Sequence, residues 1–313
     1  MNTQKSCRSG GIARVGAAVL LVSLGFLFGS CKTMADVVGM GAQIAGALGV
    51  IDTETAGAIS RSSEAISRAA EEITPEQEYY IGRAVGANLL SRYRIWNGNA
   101  VLTRYLNEIC NAIVINSPRP EIFNGYHLAI LDSTEINAFA TSGGHIFITR
   151  GLIACADSED TLAAIIAHEI GHIQLQHGIK AIKNSRITQA IMITGTSAAR
   201  TLGNDDLKEL ASVMDESVNE ILSTLLEKGY SRDQEYDADT AAMSLMAAAG
   251  YDPSSLISML RQLDRNLGSS GGGLAKTHPS PAQRIENAQE TALKFKVPDT
   301  RSYRTTRYGQ FGI

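Results

Sequence analysis

The residues with the clearest chemical potential are His168, Glu169 and His172, which form the pattern H-E-x-x-H. A helix through Leu162 to Leu175 places both histidines one turn apart on one face, so both imidazoles can reach a single metal ion. Glu169 then lies about 60° round the helix from His172, close enough to touch a water on that ion without binding the ion itself. This is the geometry of a hydrolytic zinc site.

The third metal ligand is expected from another helix. His177 would lie about 180° from His168 round a continuous helix, so we do not expect it to be a ligand. Glu235 and Asp239 are one helical turn apart. One of these carboxylates can therefore bind the metal while the other accepts an imidazole N–H and orients a ligand.

A third group of polar residues surrounds a predicted helix start. Ser280, Pro281 and Gln283 form a capping box with proline in the first helical position. Arg284 then lies in or near the first turn, where its positive charge opposes the helix dipole. An unfavourably placed charge indicates a role, and His278 and Arg284 could both point at one oxyanion.

Five sequence blocks, in this order and spacing, resemble the HtpX and CAAX prenyl protease family of zinc metallopeptidases, which has Ste-type, Oma-type and periplasmic lipoprotein members. The resemblance covers about residues 75–297. The blocks are Asn137 to Ala140, Gly143 to Phe147, His168 to His172, Ser231 to Asp239, and His278-Pro279 with Arg284.

The resemblance implies an α+β fold: a mainly helical, gluzincin-type domain with a small mixed or antiparallel sheet and an edge strand beside the HExxH helix. It also implies a role for each matched residue. One Zn²⁺ per chain is bound by His168, His172 and Glu235, Glu169 is the catalytic acid/base, Asp239 supports a ligand, and His278 and Arg284 face the transition state. The edge strand that pairs with an extended substrate is implied to contain Gly144, His145, Ile146 and Phe147.

The elements that position these residues can also be read from the sequence. Helices are predicted from Pro75 and over 99–115, and almost everything beyond Ser158 is expected to be helical. Short strands are predicted at Tyr126 to Leu131, Ile136 to Ala140 and His145 to Thr149. We expect a catalytic domain over 74–297 and a tail over 298–313 that packs on the domain or hangs free. Gly268 to Gly273 is either an idle loop or the hinge of a lid.

The N-terminal segment is typical of a secretory signal, with basic residues followed by the apolar stretch Val15 to Gly29. Leu27 to Cys31 resembles a bacterial lipoprotein signal, which predicts cleavage after residue 30 and a lipid on Cys31. A plain cleaved signal and a retained anchor are the alternatives. Residues 31–73, rich in Ala, Gly and Ser, are expected to form a tether with a weak helix within 55–72. Lys32 favours anchoring to the outer membrane, on the periplasmic side of the bacterial cell envelope.

The composition argues against nucleic-acid binding. With 28 Lys plus Arg, 32 Asp plus Glu and a net charge of −4, the chain offers no basic field for nucleic acid. Cys110 and Cys155 could be bonded in an oxidising compartment or remain free thiols. The sequence indicates no oligomeric state.

These observations predict a zinc endopeptidase that acts on unfolded, misfolded or unassembled envelope proteins, with unfolded or loop polypeptide as substrate and without the helical-repeat domain of some periplasmic members. The alternative is a chaperone or assembly lipoprotein whose zinc cleft holds clients and rarely cuts. A closed structural zinc site is disfavoured because Cys110 and Cys155 lie outside the motifs. If the Gly-rich segment is a lid hinge, His278 could occupy the open position of the zinc and keep the enzyme latent.

Overall fold

A computed structural model describes residues 31–47, 49, 52–69, 74–181, 218–267, 274–278, 281–295 and 301–311. The predicted signal over 1–30, the loop Gly268 to Gly273 and the cap Ser280 lie outside these residues. The chain divides into two compact units, and residues 73–182 with 218–313 make up the second.

The described part of the first unit is a pair of helices, α1 (Cys31–Ala47) and α2 (Thr53–Ala69). They pack against each other, and the Gln43 amide donates to the Ser60 hydroxyl across the pair at 2.9 Å. Asp52 caps α2 by accepting the backbone N–H of Thr55 at 2.7 Å. The weak helix predicted within 55–72 is thus α2, and the stretch before it, predicted as a spacer, is also a helix that packs against α2.

The second unit holds a three-stranded sheet, and most of its other described residues are helical. Before the sheet come α3 (Pro75–Leu90) and α4 (Ala100–Ile115). The strands are β1 (His127–Leu131), β2 (Ala138–Thr141) and β3 (His145–Thr149), followed by α5 (Arg150–Ile153) and α6 (Glu159–Gln174). A π-helical turn (Thr224–Lys228) precedes α7 (Arg232–Ala248), α8 (Ser255–Leu267), α9 (Leu274–Thr277), α10 (Pro281–Ala292) and α11 (Arg301–Gly309). The predicted α+β class, mainly helical with a small mixed sheet, is confirmed.

The strand order β1-β3-β2 corrects the prediction for the substrate-binding strand. β3 lies in the centre of the sheet, parallel to β1 and antiparallel to β2, so both of its edges are occupied. Gly144, His145, Ile146 and Phe147 therefore cannot pair with a substrate. Gly144, with φ 94°, belongs to the tight turn between β2 and β3. Of the two outer strands, β1 is bonded on its outer side by Arg94 to Trp96 and by Asn107. β2 has no second partner strand among the described residues, although all four of its residues are buried.

Alternation along the strands separates two apolar layers. Ile146 and Ile148 of β3 pack into the larger core cluster with α4 and α6, whereas Phe147 faces the smaller cluster with α3 residues such as Val85 and Leu89. This is the period-2 burial expected of a sheet covered on both faces. The sheet is thereby held against α6, the helix that carries the H-E-x-x-H pattern.

Helix α6 is also fixed by close contact with α7. A side chain at Gly171 would place its Cβ 3.0 Å from the Ala238 carbonyl oxygen, so the two backbones approach where both residues are small. Ser158 and Thr161 form a reciprocal capping box at the start of α6. The contact brings the histidine face of α6 against the acidic face of α7.

The C-terminal tail packs on the domain, which confirms one of the two predicted alternatives. Helix α11 lies against α6, with Arg304 paired to Asp160 at 2.7 Å and Arg307 paired to Glu159. The Phe311 ring stacks on Tyr105 beyond the end of the helix.

Two further features concern the membrane and the cysteines. Within the described segments, no helix combines the length and the apolarity needed to cross a bilayer.

Cys110 and Cys155 are free thiols, and burial raises the pKa of Cys110 to about 12. A thiol with that pKa stays protonated and unreactive near neutrality.

Candidate metal centre

The two motif histidines converge as predicted. His168 and His172 lie on the buried face of α6, and their Nε2 atoms are 3.1 Å apart. Burial lowers the pKa of His172 to about 3, so the ring is neutral at physiological pH. A neutral imidazole is the form that binds a metal ion.

Glu235 from the first turn of α7 completes a three-donor set. Its Oε2 lies 3.6 Å from His168 Nε2, and its Oε1 lies 3.4 Å from His172 Nε2. A tetrahedral zinc site with bonds of about 2.0–2.1 Å has ligand-to-ligand edges of about 3.3–3.4 Å. The three distances match that size, so these residues fit zinc as the resemblance implied.

His278, which follows α9, belongs to the same cluster. The ligand atoms of His168, His172, Glu235 and His278 all lie within 4.8 Å of one another, and all four residues are buried. The Nδ1 atom of His278 is 2.8 Å from Glu235 Oε1. His278 thus stands close enough to act either on a reacting group or as a fourth donor.

Asp239 lies one turn after Glu235, behind the histidine ligands. Its Oδ1 is 3.0 Å from His168 Nδ1, so the carboxylate can accept the ring N–H and leave Nε2 facing the metal. Burial acts to raise the pKa of Asp239, but the adjacent Arg284 outweighs it and holds the pKa below its ordinary value. Asp239 is therefore an anion near neutral pH, in position to orient His168, the supporting role that the resemblance implied for it.

Arg284 occupies a different position from the one its predicted role requires. Its Nε and Nη2 donate to both oxygens of Asp239 at 2.8 and 2.6 Å, and its Nη1 lies 3.0 Å from Glu235 Oε2. Three of its nitrogens are thus engaged with carboxylates that support or bind the metal. This geometry makes Arg284 a positioning residue. A cation is tolerated near the start of α10 because Asp239 and Glu235 balance its charge.

Glu169 lies at the meeting point of two cavities. One is a narrow cleft with no room for a water molecule, lined by Ala138, Phe139 and Ala140 of β2 with Tyr230 and Thr277; we call it the β2 cavity. The other lies between α6 and α8. The side chain is 3% exposed, and burial raises the pKa of its carboxyl group above the ordinary value. A buried carboxyl group with a raised pKa can both accept and donate a proton near neutrality.

Two residues that contact the ligand His172 were not predicted. The Nδ1 of His177 lies 2.8 Å from the Nδ1 of His172, and the Tyr230 ring stacks on His172 with centroids 4.2 Å apart. α6 ends at Gln174, and Gln176 has a left-handed φ of 55°, which turns the chain back toward His172. The 180° separation assumed for His177 therefore does not apply, although His177 is not among the four clustered donors.

Two single histidines behave as ordinary structural residues. His127 Nε2 lies 2.7 Å from the Asn124 carbonyl oxygen, and His145 Nδ1 lies 3.2 Å from the Thr141 hydroxyl. Neither belongs to the cluster.

The sequence of this chain is similar to those of known proteins. Residues 100–292 match the model of peptidase family M48. The chain is 25% identical over 208 residues to the beta-barrel assembly-enhancing protease of Yersinia pestis, covering 64% of this chain and 41% of that protein. It is 26% identical over 197 residues to the mitochondrial metalloendopeptidase OMA1 of Schizosaccharomyces pombe, covering 62% and 54%. It is 24% identical over 200 residues to metalloprotease LoiP of Escherichia coli, covering 64% and 74%. The chain spans about half the length of the first two relatives.

Proposed function

The chain belongs to peptidase family M48, and from that premise we propose that it is a zinc-dependent endopeptidase for unfolded, misfolded or unassembled cell-envelope proteins. The observation that carries the proposal is the convergence of His168, His172 and Glu235 at zinc-like spacing beside the buried Glu169. The sequence match supports the reaction class, and the names of the relatives support proteins as substrates.

Each residue of the site has a separate role in peptide hydrolysis. When bound, zinc lowers the pKa of a coordinated water to about 7 and polarises the substrate carbonyl. Glu169 takes the proton from the attacking water and passes it to the leaving amine, a transfer favoured by its raised pKa. Asp239 holds His168 in its binding orientation, and Arg284 partly neutralises the negative charges of Asp239 and the metal donor Glu235. His278, within reach of the same centre, is the group that donates to the developing oxyanion.

The outer edge of β2, which has no second partner strand among the described residues, is the place we propose for the substrate backbone. β2 residues Ala138, Phe139 and Ala140 line the β2 cavity together with Glu169 and His278. A peptide that adds to this edge in extended form would bring its backbone to Glu169. Strand addition requires unfolded or loop polypeptide, which supports denatured proteins as the substrate class.

The first test is cleavage of denatured casein by the purified full chain, compared with Glu169→Gln, both with zinc bound. We expect the parent to cleave and the variant to lose at least 100-fold in rate, because the proton acceptor is gone. Metal analysis should show equal zinc in both, since Glu169 is not a ligand. Equal cleavage by parent and variant would refute the role of Glu169 and point to a contaminating protease.

A second candidate function is a zinc-containing chaperone or assembly factor that holds envelope clients with little proteolysis. The observation in its favour is His278, which could close the fourth zinc position, because closed sites are typical of structural zinc. For the endopeptidase, His278→Ala should lower the casein cleavage rate by about 100-fold or more through loss of an oxyanion donor. Faster cleavage by this variant would instead show that His278 blocks the site, as the latency hypothesis requires.

The location of the protein is also part of the proposal. We infer a lipid anchor at Cys31 and a position on the periplasmic side of the bacterial envelope, on the outer membrane. The support is the signal-like N-terminal sequence, together with relatives named beta-barrel assembly-enhancing proteases.

A further inference from the structure

The first unit exposes large apolar side chains on one of its helices. Within the described part of that unit, these side chains are Val38, Met40 and Ile44, and all three belong to α1. Met40 is 59% exposed and Ile44 is 49% exposed. Single exposed apolar residues are ordinary on protein surfaces, but several on one helix indicate contact with an apolar partner.

Met40 and Ile44 lie on the side of α1 that faces away from α2. The packed side contains Gly39 and Gly46, where an added Cβ would lie 3.1 and 2.6 Å from side-chain atoms of α2. At 100° per residue, Met40 and Ile44 are about 130° round the helix from these glycines. An added Cβ on Gly41, which is also on the outward side, would meet nothing within 4 Å. The outward side of α1 is therefore open.

The two helices of this unit differ in the character of their outer faces. Residues 37–51, which include most of α1, contain no Asp, Glu, Lys, Arg or His. On α2, Ala56 and Ser60 are buried, whereas Glu54 and Arg61 are exposed on the other side of the helix. The helix pair thus has one apolar outer face and one charged outer face. Helices that lie in a membrane interface show this division between lipid and water.

The position of α1 in the chain indicates which apolar partner is near. The helix begins at Cys31, the residue proposed above to carry the lipid anchor. At 1.5 Å per residue, Met40 and Ile44 lie about 14 and 20 Å from Cys31 along the helix axis. The bilayer that holds the anchor is therefore within reach of both side chains if α1 lies along its surface.

We propose that α1 lies along the membrane surface, with Met40 and Ile44 inserted at the boundary of the lipid headgroups and acyl chains and with α2 on the water side. The inference rests on the proposed anchor at Cys31 and adds a second membrane contact to it. Insertion removes the two exposed side chains from water. Because residues 37–51 contain no cation, the contact is with the acyl chains and not with anionic headgroups.

Fluorescence from one introduced tryptophan tests this placement. The chain has a single tryptophan, Trp96, so Trp96→Phe removes the native tryptophan emission. In this background, Met40→Trp places the probe on the apolar face of α1, and Arg61→Trp places it on the charged face of α2. Each full chain is produced in a bacterial host, purified, and reconstituted into vesicles of phosphatidylethanolamine and phosphatidylglycerol with brominated acyl chains.

Brominated lipid should distinguish the two faces. We expect it to quench the emission of Met40→Trp by about half or more, because interfacial helices bury their apolar face about 5–10 Å into the headgroup and acyl boundary. Arg61→Trp should be quenched by aqueous iodide instead. Both variants carry the same anchor, so the difference between them reports the face and not the anchor. Ile44→Trp replaces Met40→Trp if circular dichroism shows that the latter does not fold.

Three results would overturn the membrane contact of α1. Quenching of Met40→Trp by iodide alone would place the face in water. Quenching by neither reagent would show that protein, such as a second copy of the chain, covers it. Equal quenching of Met40→Trp and Arg61→Trp by brominated lipid would show that the apolar face is not the side that inserts.

The anchor is tested separately, by labelling of the parent with a clickable fatty acid. A labelled parent without lipid quenching of Met40→Trp would overturn the contact of α1 and leave the anchor standing. An unlabelled parent with lipid quenching would overturn the anchor and leave the contact standing. A chain that neither takes up label nor binds vesicles would overturn both.

Discussion

The C-terminal helix α11 should stabilise the helix that carries the metal ligands, and one buried ion pair allows this to be measured. Arg304 donates from Nε to Asp160 Oδ2 at 2.7 Å, and only 7% of each side chain is exposed. Asp160 lies in the first turn of α6, two turns before His168. The perturbation is Arg304→Ala, which leaves the Asp160 carboxylate buried without its counter-charge.

The expected loss of unfolding free energy depends on the contacts that Asp160 keeps after Arg304 is replaced. Removing one partner of a buried pair costs about 3–5 kcal/mol of unfolding free energy. Asp160 keeps the backbone N–H of Asp252 at 2.9 Å and a favourable position at a helix N-terminus, so we expect the lower end of this range. For a unit of about 200 residues, 3 kcal/mol corresponds to a fall in Tm of about 6–12 °C.

The same helix supplies a matched control. Arg301 pairs with Asp252 at 3.1 Å, but its side chain is 70% exposed, so Arg301→Ala should cost less than about 1 kcal/mol. Thermal unfolding of the full chain, followed by circular dichroism with and without zinc, measures both variants. A combined Asp160→Asn and Arg304→Leu variant removes both charges and should recover most of the lost stability.

Equal shifts in Tm for Arg304→Ala and Arg301→Ala would refute the reasoning, because the prediction depends on the difference in burial between the two pairs. A double variant less stable than Arg304→Ala would also refute it. That result would mean that packing of the arginine, and not the uncompensated charge of Asp160, dominates the loss.

Two other predictions concern the support of His172 and the anchor. His177→Phe keeps a ring of similar size but removes the nitrogen that contacts His172, so zinc affinity in a chelator competition should fall about 10-fold. The exposed His127→Gln should leave zinc affinity unchanged, and equal affinities for both variants would contradict the positioning role. For the anchor, a clickable fatty acid supplied to a bacterial host should label the parent and not Cys31→Ser. Labelling that persists in Cys31→Ser would rule out acylation at this residue.

Much of the candidate site could be predicted because its residues come in local patterns. His168 and His172 are one turn apart on a helix whose capping and apolar residues are visible in the sequence. Glu235 and Asp239 are likewise one turn apart, although only the resemblance to a family assigned the metal to Glu235. The structure adds the distances from His168 to Glu235 and to Asp239 that support this assignment.

The role of Arg284 illustrates a limit of that reasoning. Its place near the start of α10 indicated a role, since the charge is unfavourable there. The sequence could not show which groups it faces. The partners Asp239 and Glu235 lie on another helix, and only the packing of α10 against α7 brings them within 3.0 Å.

By itself, the sequence predicted most helices of the catalytic domain, the three strands and the H-E-x-x-H geometry, because each depends on periodicity or spacing within one segment. The peptidase class came from the resemblance of five separate blocks. The tertiary structure decided which strands lie at the sides of the sheet, since β1 pairs with β3 and not with β2, its neighbour in sequence, an order that no local pattern encodes. It also decided the place of His177, because one left-handed residue, Gln176, ends the helical geometry from which its position had been calculated. Contacts between distant segments depend on packing free energy summed over the whole core, and no local pattern of residues specifies that sum.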